Sequence, residues 1–545
     1  MKKRQTGGIR ILEPLALIVF TLFIYAPVTV YLGNQTEYDF ALADFLPYGL
    51  LLAVPGALVA IILWLVLRGR ARDAWSAALF GIGAALFLQG NFLNPDYGVL
   101  DGRRVQWGQY ALYAAGNTAI WTALVAGPVL MALKDRGTIC HITRWCALSM
   151  IAYEAIVLAV TVAVTPVQPH RNAFVVGDRN STTLSSNRNT IVFLVDACDT
   201  DYVRRILDDA PQDMADWDGF VYYPDFVGSY SKTRMSVPYI LTGKWYENDR
   251  TMEQFVQDAY EDVALWDTLA EAGYDIGVYT HREYLNEGLV GRFGNLIATR
   301  LVVADPIGLA RQWLKLTCFN YCPHLLKPAF EFYSGDFSLY YGAENGEEIY
   351  GSRNKTLAKR VDGELKLTEK NAFRFYHVRG SHLPCDMDAE GNYVGDWKSN
   401  AYDQTRGVFG ILTRFMNRMK RLGIYDRSTV IVMADHGRFD EGLSYPAFLI
   451  KRPGAHGAVK VCDTPASQAE LHATILQCAG LEVPEGMTSI FDLDPDSDYP
   501  RRFMYYPISY NNRGFLPDLE EYAVSRGLKA RATGRWYTRL GVVEK

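Results

Sequence analysis

The chain has 545 residues, 49% of them hydrophobic, and a formal net charge of −5. That length allows two or three domains, and near-neutral charge without a basic stripe excludes nucleic acid as a partner. The apolar residues are unevenly spread, with long runs in the first 165 positions.

Those runs cover approximately residues 11–33, 46–67, 74–91, 109–133 and 145–165. Each is near the ~20 residues that cross a bilayer core as a helix, so residues 1–165 are expected to form a five-span membrane domain. Basic residues in the short loops set the orientation. Lys2, Lys3, Arg4 and Arg10 precede the first span, Arg68, Arg70 and Arg72 follow the second, and Lys134, Arg136 and Arg144 follow the fourth. The alternate loops hold no basic residue (34–45) or only Arg103 and Arg104. The N-terminus is therefore expected in the cytoplasm and everything after about residue 166 outside. A long first run followed by further spans argues against a cleaved signal peptide.

Six of the eight cysteines fall in the exported part, where an oxidising compartment permits disulfides. Cys318 and Cys322, four apart, suit a local bridge or a zinc clip. No second close pair completes a zinc site, so a disulfide is the expectation.

Residues 166–188 are polar and rich in Ser, Thr and Asn, the composition of a linker. From Thr190 onward β-rich runs alternate with helical ones. Strands are expected at 190–195, 220–226, 274–279, 373–378, 428–434 and 447–451. Helices are expected at 202–209, 263–272, 402–422 and 467–479. That alternation predicts a mostly parallel sheet covered on both faces, within one domain over 189–545. Residues 283–370 show no clear pattern and are left unassigned.

Four places carry candidate chemistry. The strand Ile431-Val432-Met433-Ala434 runs into Asp435-His436-Gly437, placing two metal-ligand side chains where α/β sheets collect ligands. A hard oxygen beside an imidazole suits zinc or manganese, although Asp-His-Gly also makes an ordinary strand-to-loop turn. The strand ending Leu194-Val195-Asp196 offers a second carboxylate, with Asp196 or Asp199 alternatively capping the next helix. Gly228-Ser229-Tyr230-Ser231-Lys232-Thr233-Arg234-Met235-Ser236-Val237-Pro238 sets a hydroxyl at a helix N-terminus, as cap or as nucleophile. Gly380-Ser381-His382-Leu383-Pro384 places an imidazole in a loop after a strand, able to bind an anionic oxygen or protonate a leaving group.

Taken together and in this order, these pieces resemble the alkaline phosphatase superfamily. They are most similar to its membrane-bound branch of lipoteichoic acid synthases and lipid A phosphoethanolamine transferases. The resemblance covers nearly the whole chain and implies five N-terminal spans followed by an exported α/β/α sandwich of sulfatase type. It implies one divalent metal, manganese or zinc, held by Asp196, Asp435, His436 and Thr233, with Thr233 as nucleophile and His382 as proton donor or phosphodiester contact. Asp196 departs from the Glu usual in these transferases. No His follows Asp-His-Gly until His456, unlike the phosphoethanolamine enzymes, and no formylglycine motif is present, which argues against sulfate-ester hydrolysis.

The implied activity moves a substituted phosphoryl group, phosphoglycerol or a relative, from a phospholipid donor to an envelope glycan or lipid acceptor through a phospho-threonine. The setting implied is a bacterial-type cell membrane. A phosphoethanolamine transferase, a phosphodiesterase whose acceptor is water, and a catalytically silent membrane scaffold are the alternatives. Thr280-His281-Arg282 is a candidate for the mouth of the site. His472 is expected to be structural, and His456 lies in a loop of open role.

Overall fold

The computed structural model describes residues 10–98, 102–166, 173–438, 443–507 and 514–545. Lys2, Lys3 and Arg4, part of the expected linker (167–172), and Phe439 to Gly442 lie outside the described residues. The chain divides into two compact units. One is Met1–Arg171 with Val302–Gly342, and the other is Asn172–Leu301 with Ala343–Lys545.

The first unit contains five helices long and apolar enough to cross a membrane: Leu12–Gly33, Leu42–Val66, Arg70–Phe92, Trp107–Lys134 and Arg136–Val164. They match the five runs expected from sequence. Two of their buried carboxyl groups meet partners on other helices, as a low-dielectric setting favours. Thr21 Oγ1 donates to Glu154 Oε2 at 2.8 Å, and Arg136 meets Asp73 at 2.5 Å.

Within the same unit lies the unassigned stretch 302–342, which folds as a helix, Pro306–Tyr321, and two 3-10 turns. Asp305 caps the helix by accepting from the Gly308 N–H at 2.8 Å, and Pro306 occupies the first helical position. The helix buries Leu309, Trp313 and Leu316 against Tyr31, Tyr38, Phe40 and Phe45. Cys318 and Cys322 are free thiols on its last turn, and all the other cysteines are free too. Their four-residue spacing is that of a helical turn, so the expected disulfide is absent. Among the described residues they belong to no metal-ligating cluster.

The second unit is built on a seven-stranded sheet. In chain order its strands are β1 (Asn189–Val195), β2 (Phe220–Tyr222), β3 (Asp275–Tyr279), β4 (Ala372–Val378), β5 (Ser428–Met433), β6 (Phe448–Lys451) and β7 (Lys460–Val461). Their spatial order is β7-β2-β6-β5-β1-β4-β3, and only β6 runs against the rest. β1, β4 and β5 are buried at every residue, the signature of a parallel sheet covered on both faces.

Alternation along the strands separates the two faces. Phe193 and Tyr376 stack on one face, where Phe415 of the Ala401–Arg421 helix meets Phe193 edge-on. Phe373 faces the other way and meets Trp266 of the Ala264–Glu271 helix. That second cover is tied to its neighbours through carbonyls of the Thr233–Thr242 helix. Trp266 Nε1 donates to Leu241 O at 2.8 Å, and His472 Nε2 donates to Ile240 O at 2.8 Å. The α/β/α sandwich expected from sequence is therefore the architecture found.

Two departures concern the margins. Residues 173–188, within the expected linker, carry strands of the second unit: Val175–Val176 pairs with Leu296–Ile297, and Thr183–Ser185 with Lys366–Thr368. Their short apolar cores, Phe174 to Val176 and Leu184, are buried, while the polar residues between them give the stretch its linker composition. The C-terminal region forms an antiparallel four-stranded sheet: Arg501–Tyr505, Leu519–Ser525, Lys529–Thr538 and Gly541–Glu544. Its first strand grips the loop before Thr233, where Met504 N–H donates to Ser229 O at 2.8 Å and Ser231 N–H donates to Met504 O at 3.0 Å.

Candidate active site

The C-terminal ends of β1, β4 and β5 converge. β5 pairs with β1 so that Met433 lies level with Leu194, which brings Asp435 beside Asp196 two residues on. Ala197 adopts a left-handed backbone, φ 57°, and its N–H donates to Asp435 Oδ1 at 3.2 Å. Asp199, not Asp196, caps the following helix, accepting from the Asp201 N–H at 2.9 Å. Asp196 is thereby left to the site.

Thr233 opens its helix, as expected for a hydroxyl at a helix N-terminus. Its Oγ1 lies 3.4 Å from Asp196 Oδ1 and 3.0 Å from His436 Nε2. His436 Nδ1–H donates to Gly437 O at 2.5 Å, which leaves the Nε2 lone pair toward the threonine hydroxyl. His436 Nε2 is also 3.6 Å from Asp196 Oδ1 and 3.6 Å from Asp435 Oδ2. The Asp435 main chain is clamped by Ser236 Oγ, 2.5 Å from its carbonyl, and by Gln468 Nε2 at 3.0 Å.

His377 is a residue that sequence reasoning missed. It sits on β4 level with Leu194, one step below Asp196 on the same face. Its Nε2 is 3.6 Å from Asp196 Oδ2, and its Nδ1 is 2.9 Å from Oγ1 of Thr280, which follows β3. Ligand atoms of Asp196, His377 and Asp435 all lie within 4.8 Å of one another.

His382 lies on a loop drawn tightly against β1. Gly380 has φ 58°, and a Cβ there would stand 2.6 Å from the Asp196 nitrogen, so the position requires glycine. Ser381 N–H donates to Asp196 O at 2.8 Å, and Asn354 exchanges two 2.8 Å hydrogen bonds with Gly380. His382 Nδ1–H donates to Leu383 O at 2.5 Å. Burial pushes its imidazole down, against the pull of the Asp196 charge. It is therefore poised as a neutral ring with a lone pair at Nε2, an acceptor before it is a donor.

The remaining candidates separate cleanly. His281 stands over His377 with ring centroids 5.2 Å apart, at the exposed rim. His472 is buried and structural. His456 pairs with Asp218 at 3.0 Å and approaches Asp426, which precedes β5, at the opposite edge of the sheet from the site.

Burial, followed by the neighbouring Asp435 charge, lifts the Asp196 carboxyl to about 7. Burial pushes the His377 imidazole down to about 4. Two interior polar atoms, His377 Nε2 and Asp435 Oδ2, have no hydrogen-bond partner. Such atoms are costly to leave unmet. Two carboxylates, two imidazole nitrogens and one hydroxyl facing one another fit a divalent cation and are hard to stabilise without one.

The Sulfatase family model matches residues 189–481, from the start of β1 to just past the Leu471–Cys478 helix. A lipoteichoic acid synthase from Staphylococcus saprophyticus is 24% identical over 196 residues, 31% of this chain. The match spans only 30% of that relative's length. Among solved structures, a phosphonate monoester hydrolase from Silicibacter pomeroyi covers 65% of this chain and 89% of its own, at 14% identity and a TM-score of 0.38. The lipoteichoic acid synthase LtaP from Listeria monocytogenes covers 66% of this chain and 90% of its own, at 13% identity and a TM-score of 0.32.

Proposed function

Because the chain belongs to the sulfatase family, we propose that it is a metal-dependent transferase. It moves a substituted phosphoryl group, phosphoglycerol or a close relative, from a phospholipid to an envelope glycan or lipid. One observation carries this reading: the Thr233 hydroxyl meets His436 and Asp196 at a helix N-terminus, beside two buried ligand atoms left without partners.

Asp196, Asp435, His436 and Thr233 would hold the cation, and His377 is a further donor in the tautomer that keeps its proton on Nδ1 toward Thr280. A bound divalent cation lowers the pKa of a hydroxyl and offsets charge on phosphoryl oxygens. Manganese and zinc both suit the mixed oxygen and nitrogen donors.

The chain's own groups then perform two displacements. Thr233 Oγ attacks phosphorus, a Thr–O–P bond forms, and the bond to the diacylglycerol oxygen breaks. The lone pair at His382 Nε2 takes the Thr233 proton and returns it to the departing alkoxide. In the second step an acceptor hydroxyl gives its proton to His382 and attacks phosphorus, and Thr233 Oγ leaves and regains a proton. N–H groups at the start of the Thr233–Thr242 helix bind the phosphoryl oxygens.

The orientation proposed is N-terminus in the cytoplasm with the catalytic unit outside. Stretch 302–342 supports it. That stretch interrupts the catalytic unit's sequence and packs on both loops expected outside. Trp313 meets Tyr38 and Phe40 after the first span, and Phe319 meets Tyr97 before the fourth and Trp107 at its outset. Anchorage beside a lipid donor raises the donor's effective concentration at the site.

The test is intact-protein mass spectrometry of the full chain in nanodiscs after incubation with phospholipid and Mn²⁺ or Zn²⁺. An adduct mapping to Thr233 with the mass of phosphoglycerol is expected. A phosphoethanolamine increment would change the donor. Head-group release with no acceptor product would make the enzyme a phosphodiesterase. Neither adduct nor lipid consumption would overturn the assignment.

A further inference from the structure

Stretch 302–342 is more than a cap on the membrane helices. Its helix ends at Tyr321, whose ring lies where a Cβ on Gly90 would be, so the Arg70–Phe92 span admits it only through a glycine. Tyr321 also clusters with Tyr25, Ala26 and Leu86 of the first and third spans. The chain then reverses through Cys322-Pro323 into the 3-10 helix His324–Phe330.

At this reversal the polar groups are met from within the protein. The Lys327 ammonium, fully buried, donates to the carbonyls of Phe319 and Asn320, closing the end of the Pro306–Tyr321 helix. Asn94 Nδ2 donates to the same Asn320 carbonyl at 2.9 Å. His324 N–H donates to Asn117 Oδ1 at 2.9 Å, Asn117 Nδ2 donates to Gln89 Oε1 at 2.7 Å, and Tyr97 OH bonds His324 Nδ1 at 2.7 Å. Irregular backbone survives at membrane depth only when its polar groups find such partners.

The depth is read from the spans themselves. Gln89, Tyr25 and Asn117 lie 3, 8 and 10 residues from the nearer ends of their spans, at Phe92, Gly33 and Trp107. At ~1.5 Å per residue these contacts sit roughly 5–15 Å in from the helix ends. Between the satisfied groups the turn presents Leu325 and Leu326, 62% and 53% exposed. Two adjacent leucines on a tip whose polar atoms are internally paired are matched to hydrocarbon, not to water.

We propose that residues 306–330 form a re-entrant hairpin whose tip, Leu325 and Leu326, is seated among the acyl chains of one leaflet. On the orientation proposed above, that leaflet is the outer one. Lipid is the occupant because the hairpin packs continuously against helices that are themselves long and apolar enough to cross the bilayer.

The experiment places an environment-sensitive fluorescent amino acid at position 325 of the full chain by codon suppression, which leaves the native thiols intact. Leu540, 92% exposed in the second unit, is the control position. Protein in nanodiscs is titrated with nitroxide-bearing phospholipids and with aqueous iodide. At 325, lipid nitroxide is expected to quench several-fold more than at 540, with iodide protection of similar size. Iodide quenching at 325 equal to that at 540 overturns the proposal. Weak quenching by both agents also overturns it, and points to a second copy or another protein over the tip. If the probe at 325 disturbs folding, the same measurement at 326 decides. The readout needs no metal or turnover, so lipid quenching by an inactive enzyme would sink the catalytic reading alone.

Discussion

The C-terminal edge of the central sheet and the Cys322–Lys327 turn treat buried polar atoms in opposite ways. At the sheet edge, His377 Nε2 and Asp435 Oδ2 are interior and unpaired, and two carboxylates crowd together. At the turn, Lys327, His324 and Asn117 each reach a protein partner, and the exposed surface is leucine. An interior that withholds partners implies a ligand that supplies them. A turn whose lysine, histidine and asparagine are met from within and whose exposed side chains are apolar implies an apolar solvent. Burial alone would not have told the two apart.

The largest effect sharpens the first half of this contrast. Thr233→Ala is expected to lower turnover by on the order of 10⁴-fold or more, as loss of a nucleophile does, while the melting temperature changes little. Activity within tenfold of wild type would remove Thr233 from the reaction. Next is Asp435→Asn, which keeps the shape and removes the charge. It should weaken Mn²⁺ or Zn²⁺ affinity at least ~100-fold, judged against the ~10–100-fold that outer partners of ligands contribute. Chelator competition measures it. An unchanged dissociation constant would mean that the unpaired atoms await something other than a cation.

Two smaller effects follow. Thr280→Val should weaken metal affinity by roughly tenfold by freeing the His377 ring, and His377→Gln by more. With cobalt as the probe metal, the His377→Gln spectrum should change while unfolding in excess chelator does not, which separates ligation from structure. At the turn, Lys327→Met leaves the Phe319 carbonyl unmet and strips Asn320 O of one of its two donors, and should cost about 1–3 kcal/mol. Thermal unfolding in detergent would show it as a fall in melting temperature. No fall would mean that water reaches those carbonyls, and the contrast between the two interiors would collapse.

Much of this molecule was readable from residues alone, for identifiable reasons. Uninterrupted apolar runs ending in Asp196 and Asp435 announced β1 and β5, and the five spans follow directly from length. The choice between Asp196 and Asp199 as cap needed the backbone, because only the left-handed turn at Ala197 aims one inward and the other at the helix. His377 stayed hidden because it lies inside a strand buried at every position, where a histidine reads as packing. A signal was available in register: Thr280 lies level with His377 one step past the paired Tyr279 and Tyr376. The C-terminal sheet escaped notice because a bulge between Glu520 and Tyr522 breaks its alternation and most of Lys529–Thr538 faces solvent. The Pro306–Tyr321 helix escaped because it buries residues on more than one side, which blurs an amphipathic stripe.

The position of β1 at the middle of the sheet has a consequence for biosynthesis. Its hydrogen-bonding neighbours, β4 and β5, begin at Ala372 and Ser428, so the first partner emerges about 180 residues after Asn189. At ~5–20 residues per second, roughly 10–40 s pass in which a mostly apolar strand has both edges open. Closure of so distant a pairing is slow and prone to aggregation. Chains stopped anywhere between β1 and the end of β4 therefore carry a nucleus with nothing to condense on. They should be cleared by proteolysis instead of accumulating as a folded half.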